Sequence, residues 1–316
     1  MFGDVVRSHR RRLGMSQEDL AERSGMSVRG IRDLETGRTG APRARTVRLL
    51  ADVFGLAGRE RDRFHLAATP AAGTRRPAGG RSPAQLPADL AGFAGRVAPL
   101  RRLDTVAARQ GGPGAAVVVV SGGAGLGKTA LAVHWAHRMR RRFPDGQLFA
   151  GLRGSQPGGA AAPSDALRVF LSGLGVRPDR MPQDQASQVA LYRSLLAGRR
   201  VLAVLDDALD EEQVRPLLPS GPGCAAVVTS RRRLTGLVAL ENAEPLPLAP
   251  LDDGEARELL RHRLSRERLA RDADGVEEVL RDCAGLPLRL ALAAARAAAQ
   301  PGVSLATIAK ELRARA

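Results

Sequence analysis

Residues 117–131 read VVVVSGGAGLGKTAL, and the fold of most of the chain can be inferred from them. The run of four valines predicts a fully buried β-strand, and the residues after Lys128 have the pattern of a helix start. Between them, Gly122, four further residues, Gly127, Lys128 and Thr129 match the spacing of a phosphate-binding P-loop. A flexible glycine-rich turn is the alternative, but the strand before it and the helix after it favour the P-loop.

Lysine is rare in this chain. Of 49 basic residues, only Lys128 and Lys310 are lysines, and the others are arginines. An ammonium group is a compact point charge that fits inside a closed loop, whereas the planar guanidinium group is wider. We therefore predict that the cofactor is ATP or ADP with Mg²⁺, that Lys128 binds the β- and γ-phosphates of ATP, and that the hydroxyl of Thr129 ligates Mg²⁺. The loop residues predicted to contact the nucleotide are Gly122, Gly123, Ala124, Gly125, Leu126, Gly127, Lys128, Thr129 and Ala130.

A second buried run, VLAVLDD at 201–207, ends in two aspartates. Asp206 stands at the carboxyl end of the predicted strand, where a carboxylate can hold Mg²⁺ through water. Asp207 follows it and can polarise an attacking water molecule. A helix cap or a solvated loop acid is the alternative for Asp207.

A third run, AAVVTSRRR at 225–233, ends in three arginines. Arg231 comes directly after the predicted strand and can reach a γ-phosphate, with Arg232 and Arg233 as competitors for that role. An exposed basic loop is the alternative. Because ligands of open α/β sheets bind beyond the carboxyl ends of the strands, we expect Lys128, Asp206 and Arg231 to share one pocket.

The composition limits the class of protein. Hydrophobic residues make up 44%, as in a globular protein, and the net charge of +16 attracts polyanions such as nucleic acid or nucleotides. Aromatic residues make up 3%, which argues against a surface that stacks single-stranded bases. Cys224 and Cys283 lie in apolar surroundings and are expected to be buried thiols. Because the chain opens without a secretory leader and has no bilayer-length apolar run, we expect a cytoplasmic protein without a membrane partner.

Composition also divides the chain into segments. The chain begins with short amphipathic helices, which are followed by a stretch rich in Pro, Gly, Ala and Arg. Alternating strands and helices come next, and a helical region ends the chain. The predicted fold is therefore multidomain: an all-α domain, then an α/β P-loop domain with a parallel sheet, then a small helical lid. The predicted bounds are 1–68, a linker at 69–88, 89–250 and 251–316, with strands at 117–120, 147–152, 201–206 and 225–230.

Residues 15–38, MSQEDLAERSGMSVRGIRDLETGR, predict two short helices joined by a tight turn. Ser16 is a candidate N-cap with Asp19 at the capping-box position, Gly25 ends the first helix, and Ser27 caps the second. This text resembles the helix-turn-helix domain of phage repressors and XRE-type regulators. The resemblance implies that the second helix reads double-stranded operator DNA.

On that helix, Arg29 and Arg32 can make bidentate contacts to guanine, and Val28 can either touch a thymine methyl group or belong to the core. The resemblance assigns phosphate contacts to Gln17, Arg38 and Arg43. A helical domain that binds protein, with solvated arginines, is the alternative. The predicted DNA-contacting residues are Gln17, Ser27, Val28, Arg29, Arg32, Asp33, Arg38 and Arg43.

The order of motifs after the linker resembles the NB-ARC branch of the STAND ATPases. The matching stretches are GFAGR (92–96), GGAGLGKT (122–129), FPDGQLFAGLRG (143–154), VLAVLDD (201–207), VVTSRRR (227–233) and GLPL (285–288). The resemblance implies that Phe93, Gly95 and Arg96 wrap the adenine side and that Pro287 packs against the base or sugar. Taken alone, GLPL is a helix end at Gly285 followed by a proline-containing restart.

One feature departs from the family pattern. Members of that family continue into a winged-helix domain with an MHD motif, and no such motif follows GLPL in these 316 residues. The sequence is therefore either a short family member or part of a longer chain.

These patterns predict an ATP/ADP-switched, DNA-binding transcriptional regulator. Because one recognition helix binds an operator weakly, we expect the nucleotide to control assembly of a homo-oligomer, with any hydrolysis slow and acting as a reset. Two alternatives stay open. One is an ATP-dependent helper in DNA processing, and the other is a defence or signalling module whose N-terminal domain binds protein.

Overall fold

The computed structural model describes residues 2–36, 44–56, 58, 60, 64, 82–108, 114–156 and 158–314. The chain divides into two compact units, Met1–Gly79 and Gly80–Ala316. Each unit has its own hydrophobic core. The architecture confirms the predicted class: helices first, then a parallel-sheet domain, then helices again.

The first unit is a small cluster of helices around one core. Its buried side chains include Leu20, Ile31, Leu50 and Phe54, which come from helices distant in sequence. The helices are α1 (Phe2–Arg12), α2 (Gln17–Ser24), α3 (Val28–Glu35) and α4 (Ala44–Val53).

The ends of α2 and α3 follow the predicted capping chemistry. The Ser16 hydroxyl accepts a hydrogen bond from the Asp19 N–H, and the Asp19 carboxylate accepts one from the Ser16 N–H. Gly25 ends α2 in the left-handed conformation at φ 65°, and the Ser27 side chain caps α3 by accepting from the Gly30 N–H. The capping residues thereby fix the turn between the two helices.

The second unit is built on a five-stranded parallel sheet with the order β2-β3-β4-β1-β5. Four strands match the predicted runs to within a residue or two. The fifth, β5, was missed because its four residues, EPLP, include two prolines. Prolines are tolerated there because β5 is an edge strand with a single partner, β1. The strands are β1 (Ala116–Ser121), β2 (Gly146–Gly151), β3 (Val201–Ala208), β4 (Ala225–Ser230) and β5 (Glu244–Pro247).

Helices cover both faces of this sheet. Leu103, Leu131 and Trp135 pack on one face with Val118 and Val120, which explains the apolar run of β1. The opposite face of the sheet forms a second core with the remaining helices. The helices of this domain are α5 (Val97–Ala108), α6 (Lys128–Met139), α7 (Pro163–Gly173), α8 (Gln185–Leu196), α9 (Glu211–Val214) and α10 (Thr235–Leu240).

The residues from 251 onward form the lid and are helical, in agreement with the prediction. They share a core of their own, which includes Leu260, Val279, Leu290 and Ile308. The lid helices are α11 (Asp253–Arg263), α12 (Arg266–Arg271), α13 (Ala273–Cys283), α14 (Pro287–Ala299) and α15 (Leu305–Ala314). Cys224 and Cys283 are buried free thiols, as predicted, and burial raises the pKa of Cys283 to about 11.

Part of the predicted linker belongs to the second unit. The Gln147 N–H donates a 2.7 Å hydrogen bond to Pro83 O, and the Gln85 N–H donates to Gln147 O at 3.0 Å. Ala84 forms a parallel bridge with Gln147. This segment therefore pairs with the outer edge of β2, where an open strand edge would otherwise be exposed. Among the described helices, none is both long and apolar enough to cross a membrane.

Candidate functional site

The P-loop joins β1 to α6 through glycines whose backbone conformations other residues rarely adopt. Gly122, Gly125 and Gly127 have φ angles of 150°, 75° and 79°. A Cβ atom on Gly122 would lie 2.9 Å from Leu126 Cδ1 and 3.0 Å from Leu248 O. Glycine is therefore required at this position for steric reasons, and the loop keeps the tight curve that a phosphate cradle needs.

Lys128 is the first residue of α6, and its ammonium group reaches back across the loop. Its Nζ donates a 2.7 Å hydrogen bond to Gly123 O. Burial lowers the pKa of Lys128 and the charge of Arg231 lowers it further, while Asp207 and Asp206 partly oppose these effects. The four charged groups thus lie within electrostatic reach of one another.

Asp206 accepts two hydroxyl hydrogen bonds on the same oxygen. Its Oδ1 accepts from the Thr129 hydroxyl at 2.7 Å and from the Thr229 hydroxyl at 2.6 Å. The Thr229 oxygen in turn accepts from the Asp207 N–H at 2.9 Å. Sequence reasoning missed Thr229, although its place near the carboxyl end of β4 was an available signal.

Asp207 has a left-handed backbone, with φ 56°, and its side chain anchors the loop after β2. Its Oδ2 accepts hydrogen bonds from the Ser155 N–H at 3.1 Å and from the Ser155 hydroxyl at 2.8 Å. The Gly154 N–H donates to Asp207 O at 2.7 Å. These contacts suit the loop-acid alternative, and the action of Asp207 on a water molecule stays a prediction.

Of the three arginines after β4, one faces the site. Arg231 is exposed and lines the cavity described next, whereas Arg232 and Arg233 are not among the described residues that line it. The Arg232 N–H donates to the Ser230 hydroxyl at 3.0 Å, which turns the chain away from the strand end.

A cavity of about 600 Å³ lies between the P-loop, the carboxyl ends of the strands and the lid. It is the size of a typical small-molecule site. The predicted residues that line it are Phe93, Arg96, Ala124, Gly125, Leu126, Gly127, Lys128, Thr129, Ala130, Asp206, Asp207, Arg231 and Pro287. Gly95, Gly122 and Gly123 lie outside this lining. The lining residues that were not predicted include Leu90, Ser155, Gln156, Thr229, Leu251, Leu259, Arg263, Leu288 and Ala291.

The lid touches the P-loop directly through the GLPL motif. The Leu288 N–H donates to Gly125 O at 3.2 Å. Pro287 packs on Gly127, where an added Cβ would lie 3.6 Å from Pro287 Cγ. The motif therefore forms one wall of the cavity, and its position there is a tertiary contact that a helix-restart pattern does not reveal.

Arg96 is buried and ties three segments together. Its guanidinium donates to Leu126 O at 2.9 Å and to Ala249 O at 2.7 Å, and its backbone N–H donates to Glu255 Oε1 at 2.5 Å. Burial lowers the pKa of Arg96, and the charge of Glu255 partly offsets that effect. Both of these guanidinium bonds go to protein carbonyls, so Arg96 supports the P-loop from behind while it lines the cavity.

Phe93 lies flat on the imidazole of His134, with ring centroids 4.1 Å apart and planes 7° from parallel. His134 Nδ1 lies 3.1 Å from Asp89 Oδ1. This contact is long-range, because Asp89 and His134 lie 45 residues apart in the chain. The stack holds the Phe93 ring at the edge of the cavity.

In the first unit, α3 exposes the predicted base-contacting side chains. The Arg29 side chain is 93% exposed, and its Nε lies 3.9 Å from Asp33 Oδ2. Arg32 is also exposed, while Val28 is half-buried and packs against the core. Two exposed arginines thus lie on the outer face of the helix.

Gln17 has a partner inside the unit. Its Nε2 donates a 2.8 Å hydrogen bond to Glu35 Oε2, and the Glu35 carboxylate also accepts from Arg10 Nε at 2.6 Å. Burial acts to raise the pKa of Glu35, but the bonds from Arg10 and Gln17 lower it overall. The predicted phosphate contacts Arg38 and Arg43 lie outside the described residues.

Comparison with known families agrees with both units. The helix-turn-helix domain family HTH_31 matches residues 1–64, and the NB-ARC domain family matches residues 99–269, more than half of the chain.

Among curated proteins, the chain is 42% identical over 230 residues to the regulatory protein AfsR of Streptomyces griseus, covering 73% of this chain and 23% of that protein. It is 42% identical over 237 residues to AfsR of Streptomyces coelicolor, with the same coverage. The chain thus spans about a quarter of the length of these relatives. Among solved structures, the ORC2 protein of Aeropyrum pernix in ADPNP–ADP complexes has a TM-score of 0.49 at 14% identity, over 73% of this chain and 70% of that one.

Proposed function

We propose, because this chain belongs to the NB-ARC family, that it is a DNA-binding transcriptional regulator switched by ATP and ADP. The observation that carries the proposal is the single cavity that collects Lys128, Asp206 and Arg231 and that the lid closes with Pro287. The same chain carries a helix-turn-helix unit with two exposed arginines on α3. We propose domains at residues 1–68, 89–250 and 251–316. The predicted linker, 69–88, is shortened at its end, because residues 83–85 pair with β2.

The donor set suits a magnesium nucleotide. Thr129 and Asp206 offer a hydroxyl and a carboxylate, the hard oxygen donors that Mg²⁺ prefers. When bound, the ion neutralises phosphate charge. Lys128, whose Nζ donates to Gly123 O, would donate to phosphate oxygens instead, and Arg231 lines the same cavity from the carboxyl end of the neighbouring strand β4. Thr229 holds the Asp206 carboxylate in position throughout.

The base end of the cavity is mostly apolar. Phe93, Leu259 and Pro287 offer surfaces for a flat ring, and Phe93 is already fixed by its stack on His134. Such a lining orients a nucleobase by packing. We propose adenine as that base.

The contacts between lid and P-loop provide the switch. Leu288 is bonded to Gly125, and Arg96 connects Leu126 to Ala249 and Glu255 at the start of the lid. A γ-phosphate bound in the P-loop would lie next to both sets of bonds, because Gly125 and Leu126 belong to that loop. ATP and ADP therefore favour different lid positions and different tendencies to self-associate, because a ligand shifts an equilibrium only through differential contacts.

The regulatory assignment draws on the similarity to AfsR, whose name describes a regulatory protein. Arg29 and Arg32 are proposed to read guanine bases in an operator, and self-association supplies the second recognition helix that a palindromic site requires. Hydrolysis, where it occurs, is slow and resets the switch.

The test is the solution mass of the full chain in defined nucleotide states. The protein is stripped of nucleotide, reloaded with ADP or with a non-hydrolysable ATP analogue and Mg²⁺, and measured by light scattering with and without Asp206→Asn. The proposal expects a larger species in one nucleotide state and no such difference in the variant. An identical mass in every state would rule out a nucleotide-controlled assembly.

A further inference from the structure

Basic and acidic residues are unevenly distributed along the lid. Residues 251–316 contain 12 basic and 11 acidic residues, so the lid as a whole is nearly neutral. Within it, residues 261–271, RHRLSRERLAR, contain five arginines and one glutamate. A genome-wide preference for arginine raises arginine content everywhere, but it does not separate arginines from acids within one small subdomain.

Among the other described arginines of the lid, Arg257, Arg296 and Arg313 form ion pairs with carboxylates, whereas Arg281 and Arg289 do not. Arg257 Nη1 lies 2.7 Å from Glu277 Oε1. Arg313 Nη2 lies 2.6 Å from Asp282 Oδ1. By contrast, no carboxylate in the described part of the chain lies within ion-pair distance of the arginines in 261–271, which are Arg261, Arg263, Arg266, Arg268 and Arg271. Glu267 interacts electrostatically with Arg271 and is the one acidic residue of the segment, so its five arginines keep a net positive charge.

Three of these arginines share one concave surface. Arg263, Arg268 and Arg271 line a shallow cavity of about 290 Å³ at the junction of α11, α12 and the end of α14. Arg268 donates through its two terminal nitrogens to the carbonyls of Pro301 and Val303, which fixes its guanidinium in the wall. Glu267 also lines this cavity, but Arg263 and Arg271 can each present paired N–H donors to phosphate oxygens, while Arg268 adds a fixed positive charge to the wall.

We propose that the arginine surface, defined as segment 261–271 with the concave surface lined by Arg263, Arg268 and Arg271, binds the phosphate backbone of duplex DNA as a second contact in addition to the recognition helix. The proposal rests on the proposed function in one respect, which is that the helix-turn-helix unit brings DNA to the chain. Backbone contacts carry no sequence information, so the surface adds affinity and orientation while α3 supplies specificity.

The tether between the two units makes a weak surface effective. Once the first unit holds DNA, the second binding event is intramolecular, because both units belong to one chain, and it therefore occurs at a raised effective concentration. A surface too weak to hold DNA alone then contributes measurably to the affinity of the whole chain. This explains how a chain with a single recognition helix gains affinity before it self-associates.

The experiment measures how the affinity of the full chain for a random-sequence DNA duplex, a few helical turns long, depends on salt. The test variant is Arg266→Gln/Arg271→Gln, which spares Arg263 because that residue also lines the nucleotide cavity. The matched control is Arg257→Gln/Arg313→Gln, which removes the same charge from the same lid at arginines already paired with carboxylates. Circular dichroism verifies that both variants fold.

The slope of log K against log salt becomes shallower by about 0.9 for each phosphate that the protein no longer neutralises. We expect the test variant to be shallower than wild type by about one to two units, and the control to match wild type. Superimposable slopes for the test variant and the control would overturn the proposal. The proposed function is read separately by operator footprinting: a slope difference with no protected operator contradicts that function and leaves the arginine surface standing.

Discussion

The Thr129 hydroxyl, at the start of α6, donates a 2.7 Å hydrogen bond to Asp206 Oδ1, at the end of β3. The Thr229 hydroxyl donates to the same oxygen at 2.6 Å. Two threonines from different elements therefore hold one carboxylate at the mouth of the P-loop. The orientation of Asp206, and with it the magnesium site, depends on both hydroxyl groups.

From this arrangement we expect Asp206→Asn to remove the gain in ATP affinity that Mg²⁺ provides, because an amide is a poorer magnesium ligand than a carboxylate. Thr229→Val keeps the shape of the side chain and loses the hydroxyl. It should reduce that gain by about 150-fold at most, since one hydrogen bond to a charged group is worth about 1.5–3 kcal/mol. The measurement is ATP titration with Mg²⁺ and with EDTA. A full magnesium effect in Asp206→Asn would contradict the proposed metal site.

The P-loop offers a matched pair of glycine substitutions. Gly122→Ala adds a Cβ that would meet Leu126 and Leu248 at a φ of 150°, so we expect a loss of about 1–3 kcal/mol in stability and weaker nucleotide binding. Gly123→Ala is the control, because a Cβ there meets only Leu126 Cδ1 at 3.8 Å and the backbone is not in the left-handed region. Thermal unfolding and nucleotide titration compare the stability and the nucleotide affinity of the two variants. Equal losses in both variants would show that a Cβ at Gly122 is not sterically excluded.

The recognition helix is tested by Arg29→Gln and Arg32→Gln. Each substitution should cost about 1–3 kcal/mol of operator affinity and relax the base preference at one position, because glutamine cannot reproduce the bidentate hydrogen bonds of arginine to guanine. The operator is first found by selection from a random DNA library, and footprinting then compares the variants with wild type. A footprint unchanged in both variants favours the alternative in which the first unit binds protein.

Glu35 gives the first unit a predictable pH dependence. Its folded pKa lies below its ordinary value of 4.5, so the unfolded chain takes up the proton first. The stabilisation is complete above that ordinary pKa and is lost as the pH falls through the folded value. Glu35→Gln should reduce stability at neutral pH by about 3 kcal/mol, since Arg10 then keeps a buried charge without a carboxylate. Hydrogen exchange of the α1–α3 amides at several pH values measures the stability of the first unit. If Glu35→Gln and wild type lose stability in acid to the same extent, Glu35 is not the source of the pH dependence.

Much of the fold follows from local pattern. The strands β1 to β4 are apolar runs because parallel strands are covered on both faces, and Ser16, Gly25 and Ser27 act through neighbours a few residues away. The edge strand β5 escaped prediction because its prolines are acceptable only where one side of the strand is unpaired. Its place in the sheet depends on pairing with β1, which is distant in sequence.

The residues that line the phosphate end of the cavity carry a local sequence signal, whereas several residues of its walls carry none. Lys128, Thr129 and Asp206 belong to motifs whose spacing expresses their chemistry. Ser155 and Arg263 reach the cavity only because a loop and a lid helix fold over it, and no local pattern marks them. The guanidinium of Arg96 donates to the carbonyl oxygens of Leu126 and Ala249. Both residues lie far from Arg96 in sequence, so no local pattern indicates these contacts.

Nucleotide binding at the P-loop is tested by calorimetric titration of the nucleotide-free chain with ADP and with ATP plus Mg²⁺. We expect wild type to bind with one site per chain, and Lys128→Ala to bind about 10–100-fold more weakly, because a charged hydrogen-bond donor to phosphate is removed. Lys128→Arg keeps the charge, yet it should not restore binding, since the wider guanidinium does not fit the closed loop. Absence of binding in wild type, or equal affinity in wild type and Lys128→Ala, would contradict a nucleotide site built around Lys128.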